Sequence, residues 1–231
     1  MLSCAMQTLY GIGQFLWYGE RSEFLINYLL DIVNTNVNGY NIAKELFLRK
    51  QVKDMDALEK EEMYTIEDIY SLPDGERAEL IDGKIYYMDP PNTKHQRLIS
   101  ELHYQIKDYM KQRSGECEVF PAPFAVYLNE NDKNYVEPDL SVIYDKSKIT
   151  DEGCNGAPDW VIEIVSPSSR KMDYYTKLFK YRTARVREYW IVDPDKQITI
   201  VYDFGHDNME EYSFNKEIPV GVYEGLSIKI E

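Results

Sequence analysis

Apolar and polar positions alternate with a period of two along "APDWVIEIVSP": Trp160, Ile162 and Ile164 share one face, Val161, Glu163 and Val165 the other. That pattern predicts a buried strand. Two further runs, "CEVFPAPFAVYL" and "YVEPDLSVIYD", predict strands before it, and "REYWIVD", "QITIVYDF" and "MEEYSF" predict strands after it. "RAELIDGKIYYMD" is two apolar runs joined through Asp82-Gly83, the signature of a hairpin. Helical spacing occurs in three places. In "YTIEDIYSLP", Thr65 serves as N-cap with Asp68 three residues on, and Pro73 stops the helix. Leu98, Leu102, Ile106 and Met110 recur four apart in a long amphipathic helix that ends before Gly115. "SSRKMDYYTKLFKYRTARV" is a third helix, capped by Ser168 or Ser169. Strands interspersed with helices predict an α/β fold, a central mixed β-sheet flanked by helices.

Residues 1–60 read differently. Phe24, Leu25, Tyr28, Leu29 and Ile32 form a helix-like stripe, a turn-rich stretch runs from Asn34 to Asn41, and a second helical stretch reaches Lys50. The expected organisation is a helical N-terminal extension over 1–60 and a compact domain over 61–231. Met55 and Met63 could each begin that domain, so residues 1–54 are either an accessory arm or an upstream start-site artefact.

Composition narrows the setting. The three cysteines (Cys4, Cys117, Cys154) are far apart and form no C-x-x-C pair, which fits reduced thiols in a cytoplasmic protein rather than a zinc cluster or disulfide framework. The first twenty residues lack the basic start of a signal peptide, and no run approaches the roughly 20 apolar residues of a membrane span. A formal net charge of −14 opposes non-specific phosphate binding by the molecule as a whole. One segment runs against it: Arg170, Lys171, Lys177, Lys180, Arg182, Arg185 and Arg187 are interrupted only by Asp173 and Glu188. As a bare helix this would be a solvated face.

The candidate chemistry lies where that basic helix follows the strand. Glu163 sits between two valines, and a buried carboxylate with no cation costs several kcal/mol or is neutralised. Asp139, in "EPDLSVI", shares a face with Ser141 and Ile143 on the preceding strand run. If the two strands are adjacent, Asp139 and Glu163 converge, and a hard divalent cation fits such a pair. Asp173, Lys177 and Tyr181 recur every four residues and stack on one helix face. On its own, Asp173–Lys177 is an exposed ion pair of about 0.3–0.5 kcal/mol. Near a metal-carboxylate centre, the lysine would orient or deprotonate a water. Glu79 alone reads as a surface strand residue, and beside the others as an extension of the metal shell. His95 reads as an exposed histidine opening the long helix; His103 and His206 have no partner spacing. No phosphate-binding glycine loop or nucleophile elbow occurs.

Together, "ELIDGKIYYM", "VEPDLSVI" and "APDWVIEIVSPSSRKMDYYTKLFKYRTARVREYWIVDP" resemble the Uma-type restriction endonucleases, a branch of the PD-(D/E)xK nuclease superfamily. The resemblance runs from about Tyr64 to the C-terminus and implies a restriction-endonuclease-like core. It implies Asp139 and Glu163 as metal ligands with the Ile164 carbonyl, Glu79 as an accessory acid and Lys177 as the catalytic lysine. The usual lysine position, two residues after the glutamate, is Val165 here, so the resemblance implies a lysine displaced to the following helix. The expected activity is Mg²⁺- or Mn²⁺-dependent cleavage of DNA, with Arg170, Lys171 and Lys180 on the phosphate backbone. A homodimer is compatible with this reading and a membrane partner is not. The alternative is a catalytically inactive nuclease-fold module that binds nucleic acid or a protein.

Overall fold

The computed structural model describes residues 63–113, 117–129 and 132–231. The helical extension expected over residues 1–60 lies outside them. Helix α1 (Ile66–Tyr70) opens at Thr65, whose backbone N–H and hydroxyl both donate to Asp68, at 2.7 and 3.1 Å. Strands β1 (Ala78–Ile81) and β2 (Lys84–Tyr87) form the expected hairpin. Its turn residues Asp82 and Gly83 take φ of 51° and 72°, the left-handed pair that a two-residue turn requires. Helix α2 (Thr93–Gln112) is capped by Asn92, which accepts from the His95 backbone N–H, and it buries Leu98, Ile99, Leu102, Ile106 and Met110.

The run "CEVFPAPFAVYL" is not one strand. It divides into β3 (Glu118–Pro121) and β4 (Val126–Tyr127) around the cis Ala122–Pro123 bond. A proline has no N–H to give a ladder, so the two halves join different sheets. Strand β5 (Leu140–Ile143) follows, then the short β6 (Ile149–Thr150) and β7 (Gly153–Asn155), then β8 (Trp160–Ile164). Residues Met172–Lys177 wind as wide π turns and continue into α3 (Leu178–Thr183). Strands β9 (Glu188–Asp193), β10 (Ile198–Asp203) and β11 (Asn208–Ser213) precede a hairpin of β12 (Glu217–Pro219) and β13 (Ser227–Lys229). The sequence pattern left β6, β7 and this last hairpin unread.

The central sheet has the order β11-β10-β9-β8-β5-β3. Strands β8 and β9 pair in parallel and every other neighbouring pair is antiparallel, so the sheet is mixed. The period-two pattern of β8 sorts the two layers. Trp160, Ile162 and Ile164 pack with the buried stripe of α2 and with Ile218, Ile228 and Ile230. Val161 and Val165 pack with Tyr181, Leu178 and Met172 from the π turns and α3. Large side chains such as Trp160, Trp190 and Ile162 are wholly buried here, each contributing about 1.5–3 kcal/mol. Helices therefore cover both faces of one mixed sheet, as the pattern predicts, and Glu163 is left on the α3 side.

Candidate active site

Register brings the first two carboxylates together. Leu140 of β5 lies opposite Ile162 of β8, so one step further Asp139 comes beside Glu163. The Asp139 N–H points to Glu163 Oε2 at 3.4 Å, and the Ile164 N–H donates to Asp139 Oδ2 at 2.7 Å. From the other layer, Lys177 extends its ammonium between acids. Its Nζ lies 2.8 Å from Glu79 Oε2, 3.0 Å from Glu163 Oε1 and 3.8 Å from Asp173 Oδ1. Tyr181 donates its hydroxyl to the same Glu163 Oε1 at 2.6 Å. Glu79 is fixed from behind by the Glu137 N–H, 3.0 Å from Oε1.

The π turns explain why three residues spaced by four stay in line. On an α-helix four residues overshoot a full turn by about 40°. A π turn takes more residues per turn and undershoots. One wide segment from Asp173 to Lys177 and one α segment from Lys177 to Tyr181 therefore cancel, and all three side chains face the sheet. Each is buried.

Asp173–Lys177 is thus not the exposed pair that spacing alone suggests, and Glu79 is not a surface residue. Three carboxylates (Glu79, Glu163, Asp173) surround one ammonium, and a fourth, Asp139, adjoins Glu163. Burial holds Glu163 well above the usual carboxylate range, opposed by Lys177 and reinforced by Asp173, Asp139 and Glu79. Burial likewise raises Asp173 from 3.8 to about 6, against Lys177 and the Ser169 hydroxyl. Its Oδ1 is buried with no hydrogen-bond partner among the described residues. Burial alone would lower Lys177, but Glu163, Glu79 and Asp173 outweigh it and keep the ammonium charged.

His95 corrects the sequence reading. Its side chain is 12% exposed, and Nε2 stands 3.1 Å from Asp139 Oδ2 and 3.0 Å from the Ile164 carbonyl. Burial would lower its pKa, but the hydrogen bond and charge of Asp139, the Ile164 carbonyl and Asp173 together raise it. The signal was present: His95 lies three and four residues before Leu98 and Ile99 and extends the buried stripe of α2. Tyr181 was placed on the correct face but given no role.

The basic segment is less free than its sequence suggests. Arg170 pairs with Asp193 and Asp195, Lys180 with Asp82, Arg182 with Asp207 and Arg187 with Asp159. These acids come from other elements, so the local sequence did not show them. Lys171 is exposed.

The Uma2 profile, described as "Putative restriction endonuclease", matches residues 61–231. The chain belongs to the Uma2 family. Among solved structures it is similar to a "putative nuclease belonging to DUF820" from Anabaena variabilis, with 25% identity and a TM-score of 0.57. That match covers 68% of this chain and 89% of the other. Among curated proteins none matches.

The cluster's donor chemistry suits the divalent metals that Uma2-type nuclease folds generally use. Asp139, Glu163 and the Ile164 carbonyl offer oxygen donors, the set that hard divalent ions take. The surplus of buried negative charge and the orphaned Asp173 oxygen both call for a cation. Among the described residues no three acidic, imidazole or thiol side chains already stand as a ready ligand group. Hydrogen bonds from His95 and the Ile164 N–H now engage Asp139, and Lys177 engages Glu163.

Proposed function

We propose that residues 61–231 form a divalent-metal-dependent endonuclease domain that hydrolyses phosphodiester bonds in DNA, with residues 1–60 as an extension. The observation that carries this reading is the cross-strand pair Asp139–Glu163 backed by Lys177, an excess of buried negative charge at the carboxyl end of β8. Asp139, Glu163 and the Ile164 carbonyl would hold Mg²⁺ or Mn²⁺, with Glu79 behind them. When bound, the ion supplies Lewis-acid polarisation of the scissile phosphate and a more acidic water. Tyr181 and Lys177 together fix the Glu163 carboxylate. Because three acids keep Lys177 charged, its part is electrostatic, holding and orienting a water and offsetting negative charge in the transition state, rather than that of a base. Lys171, with Arg170 and Lys180 alongside, would meet the phosphate backbone. Among the described residues no helix is long and apolar enough to cross a membrane.

A second reading keeps one observation in its favour. Most of the basic segment is already paired with acids of the same chain, as expected of a nuclease-fold module that binds without cutting. Plasmid and single-stranded substrates incubated with Mg²⁺ or Mn²⁺ separate the two. The expected result is cation-dependent cleavage that falls by about 10²-fold or more in Asp139→Asn and Glu163→Gln. Metal binding by calorimetry with no cleavage of any substrate would establish the second reading instead.

A further inference from the structure

We propose that His95 is a nitrogen ligand of this centre, so that its preferred ion is a first-row transition dication such as Mn²⁺ rather than Mg²⁺. The inference rests on the metal-dependent reading above and adds the chemical class of the metal.

His95 Nε2 lies 3.0 Å from the Ile164 carbonyl and 3.1 Å from Asp139 Oδ2, two of the three oxygens assigned to the cation. Both oxygens are acceptors, so in the free protein Nε2 carries a proton directed at them. Adjacent ligands of an octahedral ion with bonds of roughly 2.1 Å stand about 3.0 Å apart. The two spacings from Nε2 therefore suit a shared proton in the free protein and a shared cation in the loaded one. Nε2 must give up its proton before it can take a cation, and the neutral ring then carries its proton on Nδ1, a buried atom with no hydrogen-bond partner among the described residues.

The ring is also held in advance. Its backbone N–H donates to the Asn92 cap at 3.0 Å, and Leu98, Ile99 and Leu102 anchor the turns that follow. Position relative to solvent agrees. The His95 and Asp139 side chains are 12% and 14% exposed, whereas those of Glu163, Glu79 and Lys177 are 5–6% exposed. His95 and Asp139 thus lie nearer to solvent than the other charged side chains of the cluster. Carboxylate, carbonyl and water suit Mg²⁺, whereas an imidazole in the set moves preference toward transition ions. A histidine that merely ties α2 to the end of β8 would place no directly bound imidazole nitrogen on the metal.

The experiment is electron spin-echo spectroscopy on the full-length protein loaded with Mn²⁺, beside calorimetric titration with Mn²⁺ and Mg²⁺. The expected result is an imidazole ¹⁴N modulation in the wild type that changes when histidine alone is ¹⁵N-labelled and disappears in His95→Gln. Mn²⁺ affinity in that variant should fall at least tenfold, about what outer-shell partners already reach, with a smaller loss for Mg²⁺. The labelled wild-type spectrum decides the question even if the variant folds poorly. Mn²⁺ bound through Asp139, shown by its loss in Asp139→Asn, but without histidine modulation would overturn the inference and leave the metal-dependent reading standing. Absence of Mn²⁺ and Mg²⁺ binding to the wild type would overturn both.

Discussion

Two buried glutamates stand at opposite ends of the central sheet's parallel strand pair. Glu188 opens β9 opposite Trp160, while Glu163 lies near the carboxyl end of β8 opposite Ile191. Burial raises the pKa of both. Their surroundings differ. Glu188 receives the Trp190 indole N–H at 2.6 Å and the Val222 N–H at 2.8 Å. Gly221 lets that loop come close, since a Cβ there would lie 3.0 Å from Glu188 Oε2. Neutral donors therefore satisfy Glu188, and its role is to tie β9 to the C-terminal loop. Glu163 instead shares its space with three other acids, one lysine and a tyrosine. A buried acid provided with neutral donors is structural. One surrounded by further acids needs a cation, and in open α/β sheets ligands gather at the carboxyl ends of strands.

The largest expected effect comes from removing the cation that is present. Lys177→Met leaves buried carboxylates without their partner, which should cost about 3–5 kcal/mol in metal-free protein at pH 8. Added Mn²⁺ should restore part of that stability in denaturant unfolding, while cleavage stays at least about 10²-fold down. Glu188→Gln supplies the contrast. Trp190 and Val222 donate to different oxygens of Glu188, one of which becomes a non-accepting NH₂ in glutamine, so about 1–3 kcal/mol should be lost, with Mn²⁺ unable to restore it. Equal metal responses in the two variants would break the distinction between the glutamates.

A smaller effect concerns pH. Folding raises Asp173 from 3.8 to about 6. Between those values the folded protein holds a proton that the unfolded chain has released, so this group makes stability fall as pH rises from about 4 to 6. The penalty above pH 6 is of order 2–3 kcal/mol. Glu163 and Glu188, also raised, act in the same sense, and Asp193 and Asp203, lowered from 3.8, act in the opposite sense at lower pH, so the comparison must be with Asp173→Asn rather than with an absolute curve. The variant should show a shallower fall across that window than the wild type. Wild type and Asp173→Asn with the same pH dependence would mean that Asp173 is not under this strain.

Much of this contrast was legible in the sequence. Alternation in β8 placed Glu163 among valines, and the four-residue spacing aligned Asp173, Lys177 and Tyr181. Register was not legible: only the β5–β8 pairing puts Asp139 beside Glu163. His95 was read as exposed because a polar residue in a first helical turn commonly meets solvent, although the stripe ending at Leu98 and Ile99 extends to it. Glu188 looked like an ordinary member of a charged segment, since one of its donors, the Val222 N–H, comes from a loop 34 residues away. The basic run looked unopposed for the same reason, because Asp82, Asp193 and Asp207 reach it only through the fold.

The smallest effect tests an acid intermediate between the two glutamates. Asp193 is wholly buried and accepts from the Tyr174 hydroxyl at 2.8 Å and from the N–H groups of Asp195 and Lys196 at 3.1 and 3.2 Å, as Glu188 does from its neutral donors. It also has a cation, Arg170, whose side chain is 35% exposed. If neutral donors already suffice, Arg170→Ala should cost only about 1 kcal/mol, well below the loss expected for Lys177→Met. The arginine's effect on DNA should be weak too, since Asp193 and Asp195 already engage its guanidinium. Lys171→Ala should do the reverse. Its stability should stay within about 0.5 kcal/mol of wild type. DNA affinity should fall without regard to sequence, and the slope of log affinity against log salt should lessen by about one. Denaturant unfolding and a salt series of binding isotherms measure both. An Arg170→Ala loss as large as that of Lys177→Met would place Asp193 with the Glu163 cluster, and an unchanged salt slope in Lys171→Ala would remove that residue from the phosphate-binding face.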